Sequence, residues 1–103
     1  VAHLYDPLHP AVLRLIQFTA DAGLRARIPV TICGEMAGDS RYTALLLGLG
    51  FRELSMSAMS IPRVKQRLRS IDAGAARRRA GVVMEQMDSG RIATLIDDFN
   101  ALA

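Results

Sequence analysis

The only cysteine of the chain, Cys33, stands in the stretch Val30-Thr31-Ile32-Cys33-Gly34-Glu35-Met36-Ala37-Gly38-Asp39. A thiol is an acid while it holds its proton and a nucleophile or base once it has lost it. An ordinary thiol is mostly protonated at neutral pH, so it can hand a proton to carbon. A lone cysteine in an apolar run is more often a small packing residue than a reacting group. Position favours chemistry here. Cys33 follows a β-branched run and precedes Gly34, and open α/β sheets and barrels place their reacting groups at the carboxyl ends of strands.

Two carboxylates share the stretch. Asp39 is expected to cap the next helix. Glu35 either shapes the loop or, with Gly34, supports Cys33 from behind. No metal site is expected in this chain: there is no second cysteine, and His3 and His9 lie upstream without ligand spacing. Ser55, Ser57 and Ser60 form a second polar group. They could meet a phosphate, but no Gly-rich phosphate loop with its lysine accompanies them. Capping is the preferred role for Ser60, and Met36, Met56 and Met59 read as packing residues. Asp97 and Asp98 read as a solvated face.

These groups need elements to hold them. Pro10 suits a first helical turn. Val12, Leu15, Ile16, Phe18 and Ala22 then recur at helical spacing. That helix should end near Gly23 or a turn later, and Pro29 favours extended chain before it. Val30 to Cys33 reads as a buried parallel strand. A loop between Gly34 and Gly38 leads to a helix over 41–47 that ends at Gly48-Leu49-Gly50. Glu53 to Met56 reads as a second short strand with a loop over 57–60. Ser60 and Pro62 open a helix to about Arg69. Asp72 caps a helix over 73–87, and Ser89-Gly90 separates it from a last helix over 91–102. Helices alternating with short strands predict parallel pairing with right-handed crossovers. Two strands would leave open edges, so the chain is expected to close a larger barrel.

Composition bounds the reading. The chain has 103 residues, half of them hydrophobic and 22% charged, which suits one small packed domain rather than a disordered tail. No apolar run is long enough to span a bilayer, and no membrane partner is expected. No signal peptide is visible, and one unpaired cysteine agrees with a reducing cytoplasm. The net charge of +3 is concentrated in part between Arg63 and Arg79. Such a stretch raises nucleic acid as a partner. Without aromatic stacking residues, the preferred reading is the wet face of two late helices, and nucleic acid is not expected. The chain opens at Val1 in what reads as the middle of a loop, so it is expected to be a piece of a longer polypeptide.

Cys33-Gly34-Glu35-Met36-Ala37-Gly38-Asp39, then Leu45-Leu46-Leu47-Gly48-Leu49-Gly50, then Leu54-Ser55-Met56-Ser57 and Ile61-Pro62, resemble one family in that order. It is the bacterial phosphoenolpyruvate-protein phosphotransferases, Enzyme I of the phosphotransferase system, with pyruvate phosphate dikinase as a relative. Leu4-Tyr5 and Pro10-Ala11-Val12-Leu13 are similar to the family's lead-in, and the resemblance covers about 4–71. It implies an α/β fold: residues 1–71 as the last two βα units of a TIM-type (β/α) barrel, incomplete if alone, and 72–103 as terminal helices of the same C-terminal segment. It implies phosphoenolpyruvate and pyruvate as ligands, with Mg²⁺ in the parent enzyme on residues outside this chain. It implies an HPr-type phosphocarrier as partner and a homodimeric parent.

The resemblance also implies that Cys33 protonates the pyruvate enolate after the phosphoryl group has passed to a histidine on another domain. His3 and His9 are not that histidine. The isolated chain is therefore expected to be inactive. The Arg- and Ala-rich wording is similar to the nitrogen-regulatory branch as readily as to the sugar branch. A different class of reading is a non-catalytic module that self-associates through exposed strand edges and helix faces.

Overall fold

The computed structural model describes residues 6–102. His3, Leu4 and Tyr5 lie outside them. The first helix, α1 (Pro10–Ala26), begins at the proline, and His9 Nδ1 accepts the Ala11 N–H at 3.1 Å. It runs to the later of the two expected ends. Arg27 closes it in the left-handed region at φ 58°, donating its N–H to the carbonyls of Gly23 and Leu24. The chain then folds back across Gly23, where any Cβ would collide with the Val30 side chain.

A strand of two residues follows, β1 (Thr31–Ile32), then a single helical turn, α2 (Glu35–Gly38), where the sequence predicts a loop. The next helix, α3 (Thr43–Leu49), starts two residues later than expected. Asp39 does not cap it: its Oδ1 accepts the Arg41 N–H at 3.0 Å, which orders the turn before the helix. Gly50, at φ 111°, ends α3 by donating to Leu46 and Leu47. The second strand, β2 (Glu53–Leu54), leads through a 3₁₀ turn over Ala58–Ser60 into α4 (Ile61–Arg69). Ser60 stands at the cap position of α4 but makes no capping bond; its Oγ lies 3.2 Å from Ser57 Oγ. Asp72 does cap α5 (Ala73–Met84), accepting the Ala75 N–H at 2.9 Å. Asp88 caps α6 (Ser89–Ala101) in the same way, from the Arg91 N–H.

The expected share of a TIM-type barrel is overturned. Helices dominate the described residues, and the strands form one parallel pair, Thr31 beside Glu53 and Ile32 beside Leu54. Of the four residues between Pro29 and the turn at Gly34, only Thr31 and Ile32 pair. Val30 and Cys33 stay outside the pairing, and Thr31 and Glu53 are exposed rather than buried on two faces. Two residues per strand cannot organise helices around a sheet. Instead the core is helix on helix.

α3 is the central element. Thr43, Ala44, Leu45, Leu46 and Leu49 are all buried on it. It packs chiefly on α5, at Ala76 and Ala80, while Leu13 of α1, Val64 of α4 and Ile92 and Ile96 of α6 fill the rest. Ala44 and Ala76 are small enough for α3 and α5 to approach closely, and Gly48 is smaller still. Among the described residues no helix is long and apolar enough to cross a membrane.

Candidate functional site

Because the two strands run parallel, their carboxyl ends leave the pair on the same side. The ladder continues by one bond past the strands, from Ser55 N–H to Ile32 carbonyl at 2.8 Å. That bond sets the start of the serine segment beside the start of the cysteine loop. Two loops therefore share one end of the pair: Cys33 with α2, and Ser55 to Ser60.

The cysteine loop is held from below. Met36 and Ala37 are buried and anchor α2. A Cβ on Gly38 would lie 3.3 Å from Met56 Cβ and from Ser60 Oγ, so the two loops are in close contact there. Gly34 takes φ 88° and ψ −170°, a backbone shape that side chains with a Cβ rarely adopt. It turns the chain between β1 and α2 within one residue, and Cys33 sits on the strand side of that turn.

Cys33 is exposed. The packing role that a lone cysteine most often plays does not describe it. Glu35 is exposed at the first position of α2. Among the described residues no hydrogen bond joins its carboxylate to the thiol. The structure thus brings Cys33, Gly34, Glu35 and the Ser55–Ser60 segment to one end of the strand pair. His9, by contrast, is used at the start of α1, and His3 is outside the described residues. Among the described residues no group of three or more His, Cys, Asp or Glu side chains gathers to hold a metal ion.

The basic stretch is not one surface. Arg63, Lys65, Arg69, Arg77 and Arg78 are exposed, as the wet-face reading expects. Arg67 turns inward. Its Nη2 donates to Asn100 Oδ1 at 2.9 Å and its Nη1 to Ser70 Oγ at 3.0 Å, and its guanidinium carbon lies 5.8 Å from the centre of the Phe99 ring. Asn100 also donates to the Arg41 carbonyl at 3.0 Å. Arg41 in turn grips Asp97 with two bonds, Nε to Oδ1 at 2.9 Å and Nη2 to Oδ2 at 3.2 Å. The hydrogen bond to Asp97 raises the Arg41 pKa above its ordinary value, and burial lowers that of Arg67. Sequence reading missed this cluster. Arg67 and Asn100 are 33 residues apart, on helices whose packing no local pattern announces.

Comparison with known proteins bears on the cysteine end of the molecule. A family model described as the PEP-binding domain of PEP-utilising enzymes matches residues 1–73, a span that holds both loops. The chain belongs to that family. A phosphoenolpyruvate-protein phosphotransferase of Haemophilus influenzae is 41% identical over 99 residues, 96% of this chain and 17% of the relative. One of Cupriavidus necator is 57% identical over 68 residues, 66% of this chain and 12% of the relative. Multiphosphoryl transfer protein 1 of Escherichia coli is 42% identical over 99 residues, again 96% of this chain and 12% of the relative. The chain spans less than a fifth of the length of these relatives of the PEP-utilising enzymes.

Proposed function

We propose that this segment supplies the proton donor of a phosphotransferase that consumes phosphoenolpyruvate. The supporting observation is the exposed Cys33 thiol at the shared end of the strand pair, within a span matched by a phosphoenolpyruvate-binding family. In the longer protein the phosphoryl group leaves phosphoenolpyruvate for a histidine on another domain and then passes to an HPr-type phosphocarrier. Breaking the P–O bond leaves the enolate of pyruvate. The Cys33 Sγ–H bond then breaks and its proton goes to the methylene carbon. The enolate's electron pair forms the new C–H bond and its oxygen becomes the ketone of pyruvate. The thiolate left behind takes a proton from water.

Capturing the enolate in this way pulls phosphoryl transfer forward. Mg²⁺ would neutralise phosphate charge during the transfer, held by residues of the longer protein outside this segment. Gly34 holds the thiol at the turn, and Glu35, two residues on, adds local negative charge. We further propose that the longer protein works as a homodimer in the cytoplasm, where an unpaired thiol stays reduced. The 103-residue chain alone is inactive.

The test is Cys33→Ala in the full-length polypeptide. Mg²⁺-dependent exchange of pyruvate methyl protons with deuterated water should be lost, while binding of phosphoenolpyruvate persists. Exchange at the unaltered rate would end the assignment.

A second reading, a module that self-associates, is favoured by one face of α1. Leu15 and Phe18 there are 70% and 67% exposed. Light scattering separates the two readings, since a chain that stays monomeric at high concentration does not self-associate.

A further inference from the structure

Away from the cysteine loop, α4 and α6 border an open groove of about 450 Å³ with the turn before α3. Its lining includes Ser40, Arg41, Arg63, Gln66, Arg67 and Ser70. Arg63 and Arg67 are four apart on α4 and so lie on one helix face. Their charges differ from that of Arg41, which Asp97 neutralises. Among the described residues neither Arg63 nor Arg67 makes a salt bridge. Arg67 is partly desolvated, its hydrogen-bond acceptors are the neutral Ser70 Oγ and Asn100 Oδ1, and its buried Nε has no partner. A guanidinium carries five N–H donors, and these two bonds leave one on each Nη free. The one carboxylate lining the groove, Asp39, is already turned to the Arg41 N–H.

Partly buried cations are ordinarily matched by an anion. Here the protein builds the cationic half and supplies a hydroxyl at Ser40 and an amide at Gln66 around it, while the Ser70 hydroxyl is already donated to the Arg67 carbonyl. We propose that this groove is a binding site for a phosphate-type oxyanion, held between the Arg63 and Arg67 guanidinium groups. Guanidinium forks match phosphate oxygens with paired N–H donors, and the Ser40 hydroxyl and Gln66 amide meet the remaining oxygens. The groove is large enough for a small organic group attached to the phosphate. This site is independent of the chemistry proposed for Cys33.

Inorganic phosphate is the probe, titrated into the chain at constant ionic strength while the arginine Nε–Hε resonances are followed by NMR. Saturable shifts at Arg63 and Arg67 are expected, with acetate binding about tenfold more weakly because it offers fewer acceptor oxygens. Arg67→Gln should weaken phosphate binding about tenfold, the loss of one charge-assisted interaction. Arg63→Gln, an exposed position with no bond to lose, should weaken it by several-fold without altering the fold, and so covers the case in which Arg67→Gln unfolds. Arg77→Gln, on the exposed face of α5, should bind as the unaltered chain does. Absence of saturation, equal affinity for acetate, or an equal loss in Arg77→Gln would each overturn the proposal. The last would show diffuse charge rather than a site.

Discussion

Gly48 of α3 lies directly against Ala76 of α5: a Cβ at 48 would overlap the Ala76 carbonyl and come within 2.8 Å of Ala80 Cβ. A methyl group here would drive the two principal helices apart. Glycine inside a helix ordinarily costs about 1 kcal/mol relative to alanine, so Gly48→Ala sets a propensity gain against overpacking. Overpacking a close crossing typically costs ~1–3 kcal/mol, and the obstruction is backbone, which cannot swing aside. Gly48→Ala should therefore destabilise the chain. Gly81, on the exposed side of α5, has nothing near it, and Gly81→Ala should stabilise by about 0.5–1 kcal/mol. Opposite shifts of the urea midpoint are the expected result; shifts of the same sign would refute the crossing geometry.

The Gly48 crossing shows where sequence reading stops. Gly48 and Gly50 were both legible as a helix end, yet only Gly50 has the left-handed φ of a terminus. Gly48 is a packing residue, and its partners, Ala76 and Ala80, are about thirty residues away in a helix whose apolar stripe is weak. Local signals reach far: Pro10, Asp72 and the span of α4 follow from the sequence to within a few residues. The parallel direction of the strands was legible too, from the helix between them. Their length was not. The four-residue strands expected at Val30–Cys33 and Glu53–Met56 give way to two-residue pairs, and no third strand among the described residues covers their edges. With the strands so short, the barrel sector expected from the motif order gives way to helix-on-helix packing. The thiol's place at a strand end was legible, but its exposure and the inward turn of Arg67 depend on tertiary contacts.

Asp72 and Asp88 close two helix starts with the same bond, from the carboxylate to a backbone N–H three residues on. Replacing either by alanine should cost about 1 kcal/mol. The sites are on different helices, so the double variant should lose close to the sum. Thermal or urea unfolding of the two single variants and the double variant measures this. A loss only at Asp72 would mean that α6 is not held by its cap.

Gly34 governs where the thiol sits. A Cβ there meets no atom within 4 Å, so the cost of Gly34→Ala is the backbone shape alone, roughly 1–3 kcal/mol. Relaxing that strain would rotate the turn and move Cys33 relative to the Ser55–Ser60 loop. In the full-length polypeptide, pyruvate proton exchange should fall about tenfold or more, as small displacements of a reacting group do. Alkylation of Cys33 by iodoacetamide should stay complete without denaturant, because the thiol is already exposed. Unchanged exchange in a folded Gly34→Ala variant would show that the turn does not position the thiol.

Asn100 joins three elements, accepting from Arg67 on α4 and donating to the Arg41 carbonyl before α3, from its own place on α6. Asn100→Ala leaves a partly desolvated guanidinium and a backbone carbonyl each short of one partner, a loss of about 1–3 kcal/mol. Asn100→Asp keeps the acceptor, gives up the N–H donated to the Arg41 carbonyl, and adds a negative charge beside Arg67. The burial that lowers the Arg67 pKa disfavours its charged form, so a facing carboxylate should raise that pKa. Below the carboxylate range the new side chain is protonated and the gain disappears; above it the pair is charged and the gain is present. Asn100→Asp should thus be more stable at pH 7 than at pH 3, relative to the unaltered chain at the same pH values. A difference of the opposite sign would show that the charge at 67 is already balanced.

Thr43 tests how tightly α3 is enclosed. It is the one polar residue fully buried among the described core, and its Oγ1 has no hydrogen-bond partner. A buried hydroxyl without a partner costs on the order of 1–3 kcal/mol relative to an apolar group of the same shape. Valine has that shape, with a methyl in place of the hydroxyl, and both residues are β-branched. Thr43→Val should therefore stabilise the chain by about 1 kcal/mol, seen as a higher urea midpoint at an unchanged slope. Thr43→Ala should not share the gain, since it opens a cavity beside Leu46 at the centre of the packing. If Thr43→Val were destabilising while Thr43→Ala were neutral, the hydroxyl would have to be satisfied in solution, and the enclosure of α3 at its first turn would be looser than the packing shows.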